Sequence, residues 1–142
     1  MQKILLAVDG SEGCNKAVGK VLELADEMEI EVTVLTVIEK AVPTTYSEQF
    51  AREIYSRREE MKDEAREMLG ACSEELEGKV NNLEKVVETG VPSDIICETA
   101  EKGDYDFVVV ADRGRGAVKR FLLGSTAEKV TRYSPISVIV VK

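Results

Sequence analysis

The amino-acid sequence predicts an α/β fold: an open, doubly wound, five-stranded parallel sheet with helices on both faces, as in Rossmann-like proteins. Three short apolar runs rich in β-branched residues, at positions 3–8, 32–38 and 107–111, are typical of strands buried on both faces. Segments with apolar residues at helical spacing separate the strands. Strand, helix and strand in this order imply right-handed parallel crossovers, which build such a sheet.

The elements alternate along the whole chain. Strands are predicted at positions 3–8, 32–38, 79–88, 107–111 and 136–141, of which the third is the least regular. Helices are predicted between them, at about 12–28, 47–76, 92–102 and 125–133. Ser11 is expected to cap the first helix, and Ser93 or Asp94 the third. No linker, repeat or low-complexity stretch divides the sequence, so residues 1–142 are expected to form a single domain.

The composition excludes several classes of protein. No apolar run approaches the roughly 18 residues of a membrane span, and the amino-terminal apolar stretch is too short for a secretory signal, so a cytoplasmic protein is expected. The net charge of −8 disfavours nucleic acids and anionic membranes as partners. Three widely spaced cysteines match neither a disulfide framework nor a zinc site, and we interpret them as reduced packing residues.

The sequence contains no histidine. This removes the usual general base near neutral pH and every Ser-His-Asp or Cys-His arrangement. Asp9 and Asp112 are the only convincing carboxylates for a magnesium site. Catalysis is therefore expected to be absent or slow.

The most informative segment follows the strand at 107–111 and precedes the helix at 125–133. Its glycines would let the backbone approach a ligand closely, and the N–H groups at the helix start, around Gly124, Ser125 and Thr126, would hold an anion such as phosphate. Four basic residues lie within eight positions of this acidic chain: Arg113, Arg115, Lys119 and Arg120. The segment therefore predicts an anion-binding loop.

A purely structural interpretation stays open, in which the glycines make turns and the basic side chains pair with surface carboxylates. Other phosphate loops do not fit. No Gly-x-x-x-x-Gly-Lys-Ser/Thr pattern is present, and Lys119 stands where a dinucleotide fingerprint needs its third glycine. A P-loop ATPase or a dehydrogenase is therefore disfavoured.

The chain resembles the universal stress protein family over nearly its whole length. The matching segments are Val8-Asp9-Gly10-Ser11, Gly90-Val91-Pro92, and the glycine loop with the helix and strand that follow it. In nucleotide-binding members the loop reads Gly-x-x-Gly, nine residues, then Gly-Ser/Thr. Gly114, Gly124 and Ser125 match this pattern, and Ala111 replaces the first glycine. If that position required a left-handed backbone, an alanine there would cost about 1–2 kcal/mol.

The resemblance implies an adenine nucleotide as ligand, ATP, ADP or AMP, with Mg²⁺ accompanying ATP. It implies that Asp9 lies near the ribose, that Ala7 and Val8 lie beside the base, and that the Val37 backbone contacts adenine. For Asp9 a turn-forming role is an equal alternative, compatible with the first. The other implied site residues come from the fourth strand and its loop: Val110, Ala111, Arg113, Gly114, Gly124, Ser125 and Thr126.

The terminal strand, from Ile136 to Val141, is apolar and is expected at a sheet edge, where an uncovered strand invites association. Family members pair through this strand, which implies a symmetric homodimer; a monomer whose edge is protected by Lys142 is the alternative. The expected function is a nucleotide-binding stress-response or signalling module. A slow ATPase or phosphotransferase, and a member that binds no nucleotide and acts through protein contacts alone, remain as alternatives.

Overall fold

The computed structural model describes residues 1–39, 48–113 and 123–142. Its five strands, β1 to β5, are Gln2–Ala7, Ile30–Ile38, Asn82–Thr89, Phe107–Ala111 and Ser137–Val141. Its helices, α1 to α4, are Glu12–Glu27, Glu48–Ser73, Pro92–Lys102 and Ser125–Tyr133, and a short 3-10 helix, Glu74–Leu76, follows α2. All strand pairs are parallel, and the order across the sheet is β3-β2-β1-β4-β5. The predicted doubly wound α/β fold is confirmed.

The sheet is buried between two helical layers, because its strands carry apolar side chains on both faces. On the first face, Ile4 and Leu6 pack with residues of α1 and α2 such as Val21 and Leu69. On the second face, Leu5 packs with Ile96 of α3 and Val130 of α4. Successive strand residues point to opposite faces, so one strand contributes to both cores.

The winding direction reverses between β1 and β4. The chain moves outward from β1 through β2 to β3, then returns to place β4 on the other side of β1. The loops that leave β1 and β4 therefore run to opposite faces, and a crevice opens between them at the carboxyl ends of the strands. This crevice is the position at which ligands of such sheets bind.

The predicted helix caps were partly wrong. Ser11 is the N-cap of α1, but its side chain makes no capping hydrogen bond. Helix α3 begins at Pro92 with Val91 as its N-cap, which places Ser93 and Asp94 inside the first turn, where neither caps the helix. Proline suits the first helical position because it has no N–H to satisfy and its φ is already helical.

The third strand starts at Asn82, three residues after the predicted start. The segment before it leaves the 3-10 helix through a turn at Gly78, whose φ of 74° is a conformation that glycine adopts readily. The loop at 40–47 and the glycine loop at 114–122 lie outside the described residues. All three cysteines, Cys14, Cys72 and Cys97, are free, as expected.

Candidate functional site

A cavity of about 640 Å³ opens at the carboxyl end of the sheet, at the crevice between β1 and β4. This volume lies within the range typical of small-molecule sites. Every predicted site residue that the structure describes lines it: Ala7, Val8, Asp9, Val37, Val110, Ala111, Arg113, Gly124, Ser125 and Thr126. Gly114 lies outside the described residues. The structure thus brings together residues that are more than 100 positions apart in the sequence.

One end of the cavity is the start of α4. Gly124 is the N-cap, and the Gly124 N–H is held by the Asp112 carbonyl at 2.7 Å, which fixes the helix start against the end of β4. The first N–H to bond within the helix belongs to Glu128, which donates to the Gly124 carbonyl at 2.9 Å. The N–H groups of residues 125–127 precede that bond, and no side chain caps this end. An anion in the cavity would meet these N–H groups and the positive end of the helix dipole.

Charge is distributed unevenly around the cavity. Arg113 follows β4 and lines the cavity together with the first residues of α4, and its Nε lies 3.7 Å from Asp112 Oδ2. Glu39 follows β2 and Glu64 lies on α2, both at the opposite side of β1. Strands β2 and β4 are two strand spacings apart, about 10 Å. The electrostatics therefore favour a ligand whose anionic end lies toward α4 and whose uncharged end lies toward β2.

Ala111 introduces no backbone strain. No described residue other than glycine has a positive φ, so the alanine occupies an ordinary extended conformation as the last residue of β4, in register with Val141. Its Cβ lies 2.8 Å from the position that a Cβ on Gly13 would occupy, which places the methyl group against the start of α1 on the first face. Helix α4 packs on the second face. The methyl group is thus directed away from the helix start expected to bind phosphate.

The β2 end of the cavity offers backbone hydrogen-bonding groups. The ladder between β1 and β2 ends at Ala7 and Leu35, and the Val8 N–H donates to the Leu35 carbonyl at 2.9 Å. Alternate residues of a strand direct their backbone groups to the same side, so the N–H and C=O of Val37 face the β1 side beyond that bond. One donor and one acceptor of the same residue, directed to the same side of the strand, suit the edge of a planar heterocycle.

Asp9 has the turn-forming role that the sequence left open. Its Oδ1 accepts a hydrogen bond from the Ser11 N–H at 2.9 Å, which closes a local turn before α1. The residue also lines the cavity. A carboxylate offers about four lone-pair positions, so the hydrogen bond of the turn does not by itself exclude one to a ligand.

Sequence reasoning missed the helical wall of the cavity. The lining also includes Cys14 of α1, Met61, Ala65 and Met68 of α2, and Pro92 and Ile96 of α3. Helical spacing of apolar residues indicates which side of a helix is buried, but it does not indicate that this side borders a cavity. Cys14 was interpreted only as a packing residue.

In the described ranges, no group of three or more His, Cys, Asp and Glu side chains is placed to hold a metal ion. Across those ranges the structure also has no helix that is both long and apolar enough to cross a membrane.

The chain matches known proteins over its full length. The profile of the Universal stress protein family matches residues 1–142. The universal stress protein YxiE of Bacillus subtilis is 32% identical over 148 aligned positions, which cover 99% of this chain and 98% of that protein. The sequence similarity is therefore not confined to the glycine loop or to the sheet.

Solved structures have the same fold over nearly the whole chain. The hypothetical protein MJ0577 superposes with a TM-score of 0.81 at 27% identity, covering 99% of this chain and 95% of the other. An Arabidopsis thaliana family protein with AMP bound has a TM-score of 0.69 at 20% identity, covering 100% and 92%. A universal stress protein of Archaeoglobus fulgidus in complex with dAMP has a TM-score of 0.66 at 21% identity, covering 100% and 98%. Because the profile spans the entire chain and the fold agrees, this protein belongs to the universal stress protein family.

Proposed function

We propose that this protein binds an adenine nucleotide in the cavity between β1 and β4 and acts as a stress-response or signalling module of the cytoplasm. The observation that carries the proposal is the arrangement of the cavity, in which Arg113 and the N–H groups at the start of α4 lie at one end and the Val37 backbone at the other. Family proteins from Arabidopsis and Archaeoglobus contain AMP and dAMP, which supports an adenine nucleotide as the ligand class.

The phosphate end supplies most of the expected affinity. A hydrogen bond to a charged group contributes about 1.5–3 kcal/mol, and several N–H groups precede the first helical bond of α4. The base would lie between apolar side chains on the second face, including Leu35, Val110 and Ile96. Asp9 would accept a hydrogen bond from a ribose hydroxyl. A micromolar-range Kd is the expected result.

Binding rather than hydrolysis is the proposed act. The chain has no histidine, and in the described ranges neither Asp9 nor Asp112 belongs to a group of three or more His, Cys, Asp and Glu side chains that could hold a metal ion. Mg²⁺ is proposed only as the ion that ATP carries with it. Without a base to activate water, positioning gives little hydrolysis, so turnover far below one per second is expected.

A homodimer is the second part of the proposal. Strand β5 lies at one edge of the sheet, where its outer backbone groups face away from β4. A second copy placed edge to edge would satisfy these groups and cover apolar side chains. The ligand would then contact the end of β4, which is the neighbouring strand of the proposed dimer contact on β5.

The test is calorimetry and thermal unfolding with AMP and with ATP, each with and without Mg²⁺. Ligands of the native state raise the melting temperature, and the stabilisation grows with the logarithm of one plus the ratio of free ligand concentration to Kd. Adenosine serves as the control for the phosphate end, and GMP as the control for the base end. Both are expected to bind more weakly than AMP.

Each alternative function predicts a different outcome of these measurements. The absence of heat and of a thermal shift at millimolar AMP and ATP would refute nucleotide binding and favour a module that acts through protein contacts. A robust Mg²⁺-dependent release of phosphate that disappears in Asp9→Asn would identify an ATPase. Mass spectrometry of ligand released from freshly purified protein would identify the nucleotide carried in the cell.

A further inference from the structure

Cys14 makes two hydrogen bonds to Asp9 at the edge of the cavity. The Asp9 N–H donates to Cys14 Sγ at 3.0 Å, and the thiol donates to Asp9 Oδ1 at 3.1 Å. The Ser11 N–H donates to the same Oδ1 at 2.9 Å. One carboxylate oxygen is therefore held by two donors from the first residues of α1 and its N-cap.

The thiol is suited to remain a donor. Cys14 is 2% exposed and belongs to the core of the first face, although it also lines the cavity. Burial raises the pKa of the Cys14 thiol above its ordinary value, and the Asp9 carboxylate adds to the rise. The sulfur therefore keeps its proton at neutral pH, and the bond to Oδ1 has a fixed direction.

Two donors on one oxygen limit the rotation of the carboxylate. The χ2 torsion of aspartate has broad, roughly two-fold minima, so an aspartate without fixed partners samples many orientations. Rotation of Asp9 would break the bonds from the thiol and from the Ser11 N–H at once. The carboxylate is thus preorganised before a ligand arrives, which reduces the entropy cost of binding.

We propose that Cys14 is a positioning residue, which orients the Asp9 carboxylate to accept a hydrogen bond from a ribose hydroxyl of the bound nucleotide. This inference rests on the proposed function, since it assigns a second residue to the same site. Cys14 acts through Asp9 and does not itself contact the nucleotide.

A role in core packing alone makes a different prediction. If Cys14 only fills space beside Val18 and Leu69, its replacement would weaken the binding of every ligand equally, or of none. If Cys14 acts through Asp9, the loss requires a ribose hydroxyl on the ligand. The two roles are therefore separated by changing the ligand and the residue together.

The experiment measures Kd by calorimetry for AMP and for 2′,3′-dideoxy-AMP with the parent protein, Cys14→Ala and Cys14→Ser. Alanine and serine remove similar volume, but only serine keeps a donor and an acceptor. Cys14→Ala is expected to weaken AMP binding about three- to tenfold and to leave dideoxy-AMP binding within about twofold of the parent. Cys14→Ser is expected to bind AMP within about twofold of the parent.

Equal losses for AMP and dideoxy-AMP in Cys14→Ala, or equal losses in the alanine and serine variants, would overturn the positioning role and leave nucleotide binding intact. A parent protein that binds neither ligand would overturn the proposed function and this inference with it. If Cys14→Ala does not fold, Cys14→Val replaces it, because valine is slightly larger than cysteine, leaves no cavity and lacks the donor.

Discussion

Replacing Ala111 by glycine completes the glycine pattern that the resemblance implies for the loop, and the structure indicates that this change will not improve binding. Ala111 is extended, so glycine relieves no strain, and its methyl group lies against the start of α1 rather than toward α4. Affinity for AMP is expected to stay within about twofold of the parent. If alanine did hold a left-handed conformation, glycine would improve affinity by up to 1–2 kcal/mol, about five- to thirtyfold.

The same substitution is expected to destabilise the fold. Replacing alanine by glycine at an extended position costs about 0.4–1 kcal/mol, because glycine has more conformational freedom in the unfolded chain. The lost methyl burial adds a part of the roughly 0.8 kcal/mol of a buried carbon. A total of about 1–1.5 kcal/mol corresponds to a fall in Tm of about 3–6 °C for a domain of this size. Calorimetry with AMP and thermal unfolding of the same preparation measure the two effects separately.

A double-mutant cycle with Gly13 checks the geometry. A Cβ at Gly13 would lie 2.8 Å from Ala111 Cβ and 2.8 Å from the Arg113 carbonyl, so Gly13→Ala is expected to destabilise the parent. Removing the Ala111 methyl group relieves one of these two clashes. The Gly13→Ala substitution should therefore cost less free energy of unfolding in the Ala111→Gly background than in the parent. Fully additive losses, or a gain of more than fivefold in AMP affinity for Ala111→Gly, would refute this account of the methyl group.

Three further predictions concern the phosphate end, the sheet edge and the buried thiol. Gly124→Val should abolish nucleotide binding while the domain stays folded, because any residue can adopt the Gly124 φ of −60° but the branched side chain would occupy the anion position. Arg113→Ala should weaken binding less. An unchanged ATP affinity in Gly124→Val would show that the phosphate binds elsewhere. Lysine at both Val138 and Val140 should give monomers in light scattering. Both valines also pack against the core of the second face, so circular dichroism of the same variant is needed to separate loss of the dimer from unfolding. A parent that is already monomeric at tens of micromolar would eliminate the dimer. Because folding raises the pKa of the Cys14 thiol, the stability that the protonated thiol contributes is complete below the ordinary value of 9.0 and is lost as pH rises through the folded-state pKa. Between pH 9 and higher pH, the free energy of unfolding measured in urea should therefore fall less for Cys14→Ser than for the parent. An equal fall in both proteins would contradict the raised pKa.

The element boundaries show which features the local sequence pattern predicts correctly and which it does not. Helix α4 begins at Ser125 and ends at Tyr133, as predicted, because the glycine before it and the apolar period inside it are both local signals. The start of β3 was wrong by three residues, since a 3-10 helix and a turn at Gly78 intervene and neither has a distinctive periodicity. The capping roles of Ser93 and Asp94 were wrong because Pro92 already occupies the first helical position.

The sequence by itself determined the alternation of strands and helices, the parallel sheet that follows from it, and the residues at the strand ends where a ligand would bind. These features depend on neighbours within a few positions, and buried parallel strands have an unmistakable apolar composition. The order β3-β2-β1-β4-β5 is compatible with right-handed crossovers between parallel strands, but the sequence does not show that the chain returns to the other side of β1 after β3.

Only the tertiary structure decided the direction of the Ala111 methyl group, the pairing of Cys14 with Asp9, and the inward face of α2 as a cavity wall. Each of these depends on the distance between side chains that different elements or turns hold in place. A residue's type and spacing do not encode that distance, because the same alanine or cysteine is compatible with a core, a turn or a binding site until the packing of the elements selects one.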